Sequence, residues 1–136
     1  MTAVPVRLVM AAVAAGALAV ALALRAAFGG VVEQISGTAL YASMVYAAIV
    51  FLWPRLSPVA AGAVATGFCW AVEAAQLTGV PAALSARSLL ARLVLGIQFD
   101  WRDLVWYPLG VVPLVLAERV LRPAGSPTWR LSTGRR

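Results

Sequence analysis

Four long apolar stretches dominate the chain, each cut off by arginine, glycine or proline. The first, "LVMAAVAAGALAVALAL", fills the 17 positions between Arg7 and Arg25. With its flanks it is long enough to span a bilayer core, and it predicts a transmembrane helix rather than a cleaved leader, because further apolar helices follow. The second, "TALYASMVYAAIVFLW", stops at Pro54 and Arg55, with Trp53 suited to an interface. Ser57 and Pro58 form a helix-start pair for the third, which runs to about Leu77 before Gly79 and Pro81. The fourth begins near Asp100 and reaches about Leu121. The predicted spans are therefore about 7–27, 37–54, 58–78 and 101–121, and "FGGVVEQISG" reads as a loop.

Between the third and fourth spans lies "PAALSARSLLARLVLGIQFDW", too short to cross and too apolar for a plain loop. Ala86, Leu89, Leu90, Leu93, Val94 and Ile97 recur at helical spacing, with Ser85, Ser88 and Arg92 facing away. The pattern predicts an amphipathic or re-entrant helix over about 84–95, stopped by Gly96. In the first span, Ala11, Ala15, Ala19 and Ala23 form a small-residue row suited to close helix packing.

Composition agrees with this pattern. Of 136 residues, 62% are hydrophobic and 12% charged, more apolar surface than a soluble domain of this size can bury. The fold class expected is all-α: an integral membrane bundle of about four transmembrane helices, occupying 1–122 as a single domain. Residues 123–136 read as a basic, disordered tail. Every basic residue is arginine. Seven of them (Arg7, Arg55 and the five after Ala117) fall on the side of the termini, against four on the other side. The excess of positive charge predicts cytoplasmic termini, in the cell's inner (cytoplasmic) membrane. The basic tail suits an anionic membrane surface; no nucleic-acid recognition motif accompanies it, so nucleic acid is not an expected partner.

Candidate chemistry is sparse. There is no histidine, which removes the commonest general base and metal ligand, and Cys69 has no second cysteine to pair with. No metal-ligand cluster, Ser/His pairing or phosphate-cradling glycine loop is present, so no catalytic residue, metal or cofactor is expected. What remains is "FCWAVEAAQLTG". Gly62, Thr66, Cys69, Glu73 and Gln76 follow spacings of four and three and form one small and polar stripe. A carboxylate facing lipid costs roughly 2.5 to 3.5 kcal/mol on insertion scales, so Glu73 is expected to face the bundle interior. The fourth span has a matching stripe: Asp100, Asp103, Tyr107, Gly110, Leu114 and Ala117. Arg87 or Arg92 is the expected partner of Glu73, since a guanidinium forks onto a carboxylate. The candidate binding set is Glu73, Gln76, Arg87, Asp100, Asp103 and Tyr107. Plainer roles compete: Asp100 as a helix N-cap, Asp103 at the positive helix end, and Glu73 with Gln76 as interhelical hydrogen-bond formers.

The stretches "GTALYASMVY", "WAVEAAQL", "ARSLLARLVLG" and "FDWRDLVWYPLG" together resemble the bacterial family called domain of unknown function 2809. The residues carrying the likeness are Glu73, Gln76, Arg87, Leu95, Gly96, Phe99, Trp101, Asp103, Leu104, Tyr107 and Gly110, within about 37–120. The resemblance implies a small membrane protein of about four helices. A looser likeness to the VanZ-like family, linked to resistance to the glycopeptide teicoplanin, suggests an envelope role. The function expected is non-enzymatic: an outer-side pocket that takes a lipid or lipid-linked amphiphile. A subunit of a larger membrane complex or a homo-oligomer is the second expectation. A lipid-modifying enzyme and a small transporter follow behind it.

Overall fold

The computed structural model describes residues 3–121. Six helices follow one another, and among the described residues there is no strand: α1 (Ala3–Ala27), α2 (Val31–Leu52), α3 (Pro58–Gln76), α4 (Val80–Ser85), α5 (Leu89–Leu95) and α6 (Asp103–Leu121). Four of them, α1, α2, α3 and α6, are long and apolar enough to cross a membrane, so the chain is an all-α membrane bundle. The basic tail at 123–136 lies outside the described residues.

Local chemistry sets the helix ends. Ser57 caps α3, its hydroxyl accepting from the Ala60 N–H at 3.2 Å, with Pro58 at the first helical position. Gly79, in the left-handed region at φ 77°, turns the chain into α4. Ser88 caps α5 in the same way, accepting from Ala91 N–H at 3.3 Å.

Three sequence expectations are corrected here. The second span does not begin at 37: α2 starts at Val31, straight after the Gly29–Gly30 turn. Its polar residues do not break it, because the hydroxyls of Ser36 and Thr38 donate back to the carbonyls of Val32 (2.6 Å) and Gln34 (2.9 Å) within the same helix. The single amphipathic helix over 84–95 is two short helices, broken where Ser88 starts a new cap. The Ala11, Ala15, Ala19, Ala23 row is exposed. Residues four apart drift about 40° per step around a 3.6-residue helix, so such a row cannot stay on one seam. α1 instead packs on α2 through Val6, Met10 and Ala17, with Val13 and Ala14 beside them.

The core sits between α2, α3 and α6. Tyr46, Ala42, Ala47 and Val50 of α2 meet Ala61, Ala65 and Cys69 of α3 and Tyr107 and Val111 of α6. Lipid removes most of the hydrophobic drive between helices, so close van der Waals approach and interhelical hydrogen bonds must hold the bundle. Gly110 shows how close α2 and α6 come, since a Cβ there would collide with the backbone of Ala39. Ser43 of α2 then reaches the Gly110 carbonyl with its hydroxyl, at 2.8 Å. Pro108 lacks the N–H that would bond the Leu104 carbonyl four residues back. The indole N–H of Trp70, on α3, donates to that carbonyl instead, at 3.0 Å.

Outward positions are apolar, among them Leu18, Leu22, Phe51, Val64, Phe68, Leu109 and Leu116. α2 and α6 run in the same direction, with Gln34 level with Asp100, Thr38 with Asp103 and Ser43 with Gly110. α3 runs against α6. The start of α2, the end of α3, the start of α6 and the two short helices therefore share one end of the bundle.

Candidate functional site

Glu73 is the centre of that end. It lies one helical turn before the end of α3, and none of its surface is exposed. Its carboxylate accepts two hydrogen bonds, both from α6 and its approach: Asp100 N–H to Oε1 at 2.6 Å and Tyr107 O–H to Oε2 at 2.7 Å. The inward orientation read from the sequence stripe is correct. The expected arginine partner is not there. Arg87 is exposed on the turn between α4 and α5, Arg92 is exposed on α5, and among the described residues the ion pair present is Arg25–Glu33 at 3.3 Å, across the α1–α2 turn. Two neutral donors, the Asp100 N–H before α6 and the Tyr107 hydroxyl on it, serve the carboxylate in place of a guanidinium.

Asp103 lies beside this pair in the first turn of α6 and takes a hydrogen bond at 3.0 Å from the hydroxyl of Thr38 on α2. Asp100 precedes the helix. Its Oδ1 accepts the Arg102 N–H at 2.9 Å, an Asx turn that leads into α6, and its Oδ2 accepts the Gln34 amide at 2.6 Å. The Arg102 backbone N–H, and after it the Gln34 side chain, hold the Asp100 carboxyl below its ordinary 3.8. The plain capping role thus accounts for much of Asp100, while Glu73, Asp103 and Tyr107 converge from two helices.

The short helices are tied to the bundle by their carbonyls. The last carbonyls of a helix have no intrahelical donor. At the end of α5 three successive ones are taken by side chains from three different helices. Tyr41 of α2 donates to Val94 O at 2.6 Å, Gln76 of α3 to Leu95 O at 2.7 Å, and Ser85 of α4 to Gly96 O at 2.6 Å. The leucines of that segment are turned away from the bundle, as an interfacial amphipathic helix would place them, while its serine is not. Ser85 points in and is buried, whereas Leu89, Leu90 and Leu93 are 72%, 71% and 61% exposed. Leucines that lipid can cover gain little from the bundle, but a serine that completes a carbonyl does. Gly96 permits the arrangement. Its φ of 68° with ψ of −167° belongs to a region that glycine alone occupies readily, and a Cβ would stand 2.6 Å from the Gln76 amide nitrogen.

A cavity of about 240 Å³ lies between these parts. Its walls are Thr38 and Tyr41 of α2, Gln76 of α3, the backbone of 93–98, and Asp103 and Tyr107 of α6; Ile97 and Gln98 are exposed at its rim. The rings of Tyr41 and Tyr107 stand 6.2 Å apart, tilted by 56°. The amide oxygen of Gln76 is buried and accepts no hydrogen bond among the described residues. Its orientation is set, since only the amide nitrogen can donate to Leu95 O. Leaving such an acceptor unpaired costs about 1–3 kcal/mol. Among the described residues no three His, Cys, Asp or Glu side chains gather as a metal site.

Of the sequence-derived set, Glu73, Gln76, Asp100, Asp103 and Tyr107 come together and Arg87 does not. Gln34, Thr38, Tyr41 and Ser85 complete the site and were missed. Gln34, Thr38 and Tyr41 share a helical face that becomes legible once α2 starts at Val31. A second buried carboxylate was also missed: Glu118 of α6 is 4% exposed and accepts the Tyr46 hydroxyl inside the bundle near its other end. The insertion-cost argument used for Glu73 applies to it equally.

The fold and its buried polar end define a multi-pass membrane protein. The chain belongs to the family described as "Protein of unknown function (DUF2809)", whose model matches residues 27–111, more than half of it. The match spans α2 to the first half of α6 and so includes every residue of the cavity. No solved structure matches the chain.

Proposed function

We propose that this protein binds the polar headgroup of a lipid or lipid-linked amphiphile, without catalysing a reaction on it, in the cavity between α2, α3, α6 and the short helices. The carrying observation is the Gln76 amide oxygen, buried in the wall of a 240 Å³ space that Asp103 also lines, with no donor among the described residues to satisfy it. Burying an acceptor unpaired makes sense where a ligand completes it. The surroundings suit an amphiphile. The leucines of α5 offer an apolar surface at the level where headgroups lie, and the cavity rim is next to them. The arginine distribution favours cytoplasmic termini, which would place the cavity on the outer face of a bacterial inner membrane, in an envelope role.

The test is mass spectrometry of lipids retained by protein purified in a mild nonionic detergent. Gly37 lines the cavity and has open space where a side chain would go, so Gly37→Leu should expel a retained lipid. Gly67→Leu, on an exposed face of α3, should not. Identical lipids on wild type and Gly37→Leu would defeat the proposal. A stoichiometric copurifying protein in place of lipid would favour the accessory-subunit role.

A further inference from the structure

We infer that the headgroup this cavity takes carries a primary ammonium. The inference rests on the binding site proposed above and names its ligand chemistry. The lining offers acceptors and π faces, and no cation. Its hydroxyls are committed: Tyr41 O–H to Val94 O, Tyr107 O–H to Glu73, and the Thr38 O–H between Asp103 and the Gln34 carbonyl; its remaining side-chain donors are neutral amides, Gln76, which gives one N–H to Leu95 O, and the exposed Gln98. The acceptors are not all used. Among the described residues Gln76 Oε1 has no partner, and Asp103 is held by the neutral Thr38 hydroxyl and the Gln34 side chain with no ion pair.

The charges bearing on Asp103 are two further carboxylates, Glu73 and Asp100. Among the described residues no arginine lines the cavity. Arg102, the nearest in sequence, is exposed and lies over the Trp101 ring at 5.9 Å. A phosphate or carboxylate entering here would meet the like charge of Asp103 with no cation among the described lining residues to offset it. A cation would meet the Asp103 carboxylate and the negative faces of two tyrosine rings tilted at 56° to each other. A trimethylated nitrogen would satisfy the charge but leave the Gln76 oxygen unpaired. An ammonium brings three N–H donors and satisfies both.

The experiment uses delipidated full-length protein in a nonionic detergent. Native mass spectrometry follows titration with phospholipids of identical chains and ethanolamine, choline or glycerol headgroups. A fourth arm adds free ethanolamine and follows the melting temperature. The ethanolamine-headed lipid should bind at least about tenfold more tightly than the other two, as expected for one charge-assisted contact. Asp103→Asn, which keeps an oxygen for Thr38, should abolish that preference, and Gly37→Leu should abolish it by filling the space.

Preference for the glycerol headgroup, equal binding of all three, or a preference that survives both substitutions would overturn the ammonium assignment while leaving the amphiphile site standing. If no lipid binds but free ethanolamine raises the melting temperature of wild type and not of Asp103→Asn, the ammonium assignment stands and the amphiphile reading falls. If neither binds, both fall.

Discussion

At Glu73 the two hydrogen bonds come from Asp100 N–H and Tyr107 O–H, so these, and not an arginine, should register its loss. Glu73→Ala strands two buried donors, at about 1–3 kcal/mol each. Tyr107→Phe removes one of the same bonds, so a double-mutant cycle of the two should show coupling, measured as thermal stability in detergent. Arg87→Ala should stay within about 0.5 kcal/mol of wild type and add to Glu73→Ala without coupling, as for an exposed side chain. Coupling between Glu73 and Arg87 would mean that the arginine reaches inward after all. Asp100 supplies a pH signature. Its carboxyl is held low in the fold by the Arg102 N–H and Gln34, so its contribution is complete above the ordinary 3.8 and fades as the pH falls below it. Asp100→Asn should flatten that acid limb of a melting-temperature profile and leave the neutral range nearly unchanged. An acid limb identical in the variant would show that other carboxylates carry it.

Among the elements, α5 depends on its C-terminal end. Seven residues are too few to be helical unaided, and the helix buries none of them. Its hold on the bundle is the three carbonyls taken by Tyr41, Gln76 and Ser85. Gly96→Ala should therefore cost about 1–3 kcal/mol from the backbone alone, with more from the displaced Gln76 amide. Protection of the α4–α5 amides from hydrogen exchange should fall with it. Gly110→Ala should be as damaging or worse, because its Cβ meets rigid backbone at the α2–α6 crossing. Gly37→Ala, in the same bundle but with open space around it, should be neutral or stabilising by up to about 1 kcal/mol. A penalty at Gly37 as large as at the other two would show that close approach does not set the order among the three glycines.

For the whole molecule the issue is which end faces which side. α4 and α5, at six and seven residues, rise only about 9 and 10 Å and cannot cross. Cysteines placed at the exposed positions Leu84 and Leu93, in a Cys69→Ala background, should react with an impermeant maleimide from the same side. A reporter fused after Arg136 should lie on the opposite side, in the cytoplasm, if the arginine asymmetry sets the orientation. Labelling of positions 84 and 93 from opposite sides would require a further crossing and break the four-span arrangement.

The number of membrane-spanning helices, the membrane environment and the inward turn of Glu73 were readable from the chain, because insertion costs and 3.6-residue periodicity are local quantities. The same holds for the shared stripe of Asp103 and Tyr107. The partner of Glu73 was not readable. Its two donors stand 27 and 34 positions away, and choosing them over an arginine nearer in sequence depends on how α3 and α6 are juxtaposed. The contact face of α1 shows the same limit. A lipid-bathed helix is apolar all round, so composition does not mark which side packs. The start of α2 and the inward turn of Ser85 in the α4–α5 segment were decided by hydroxyls. A serine or threonine reads as a loop residue until the structure shows which carbonyl it satisfies, and Ser36, Thr38 and Ser85 each satisfy one inside the fold.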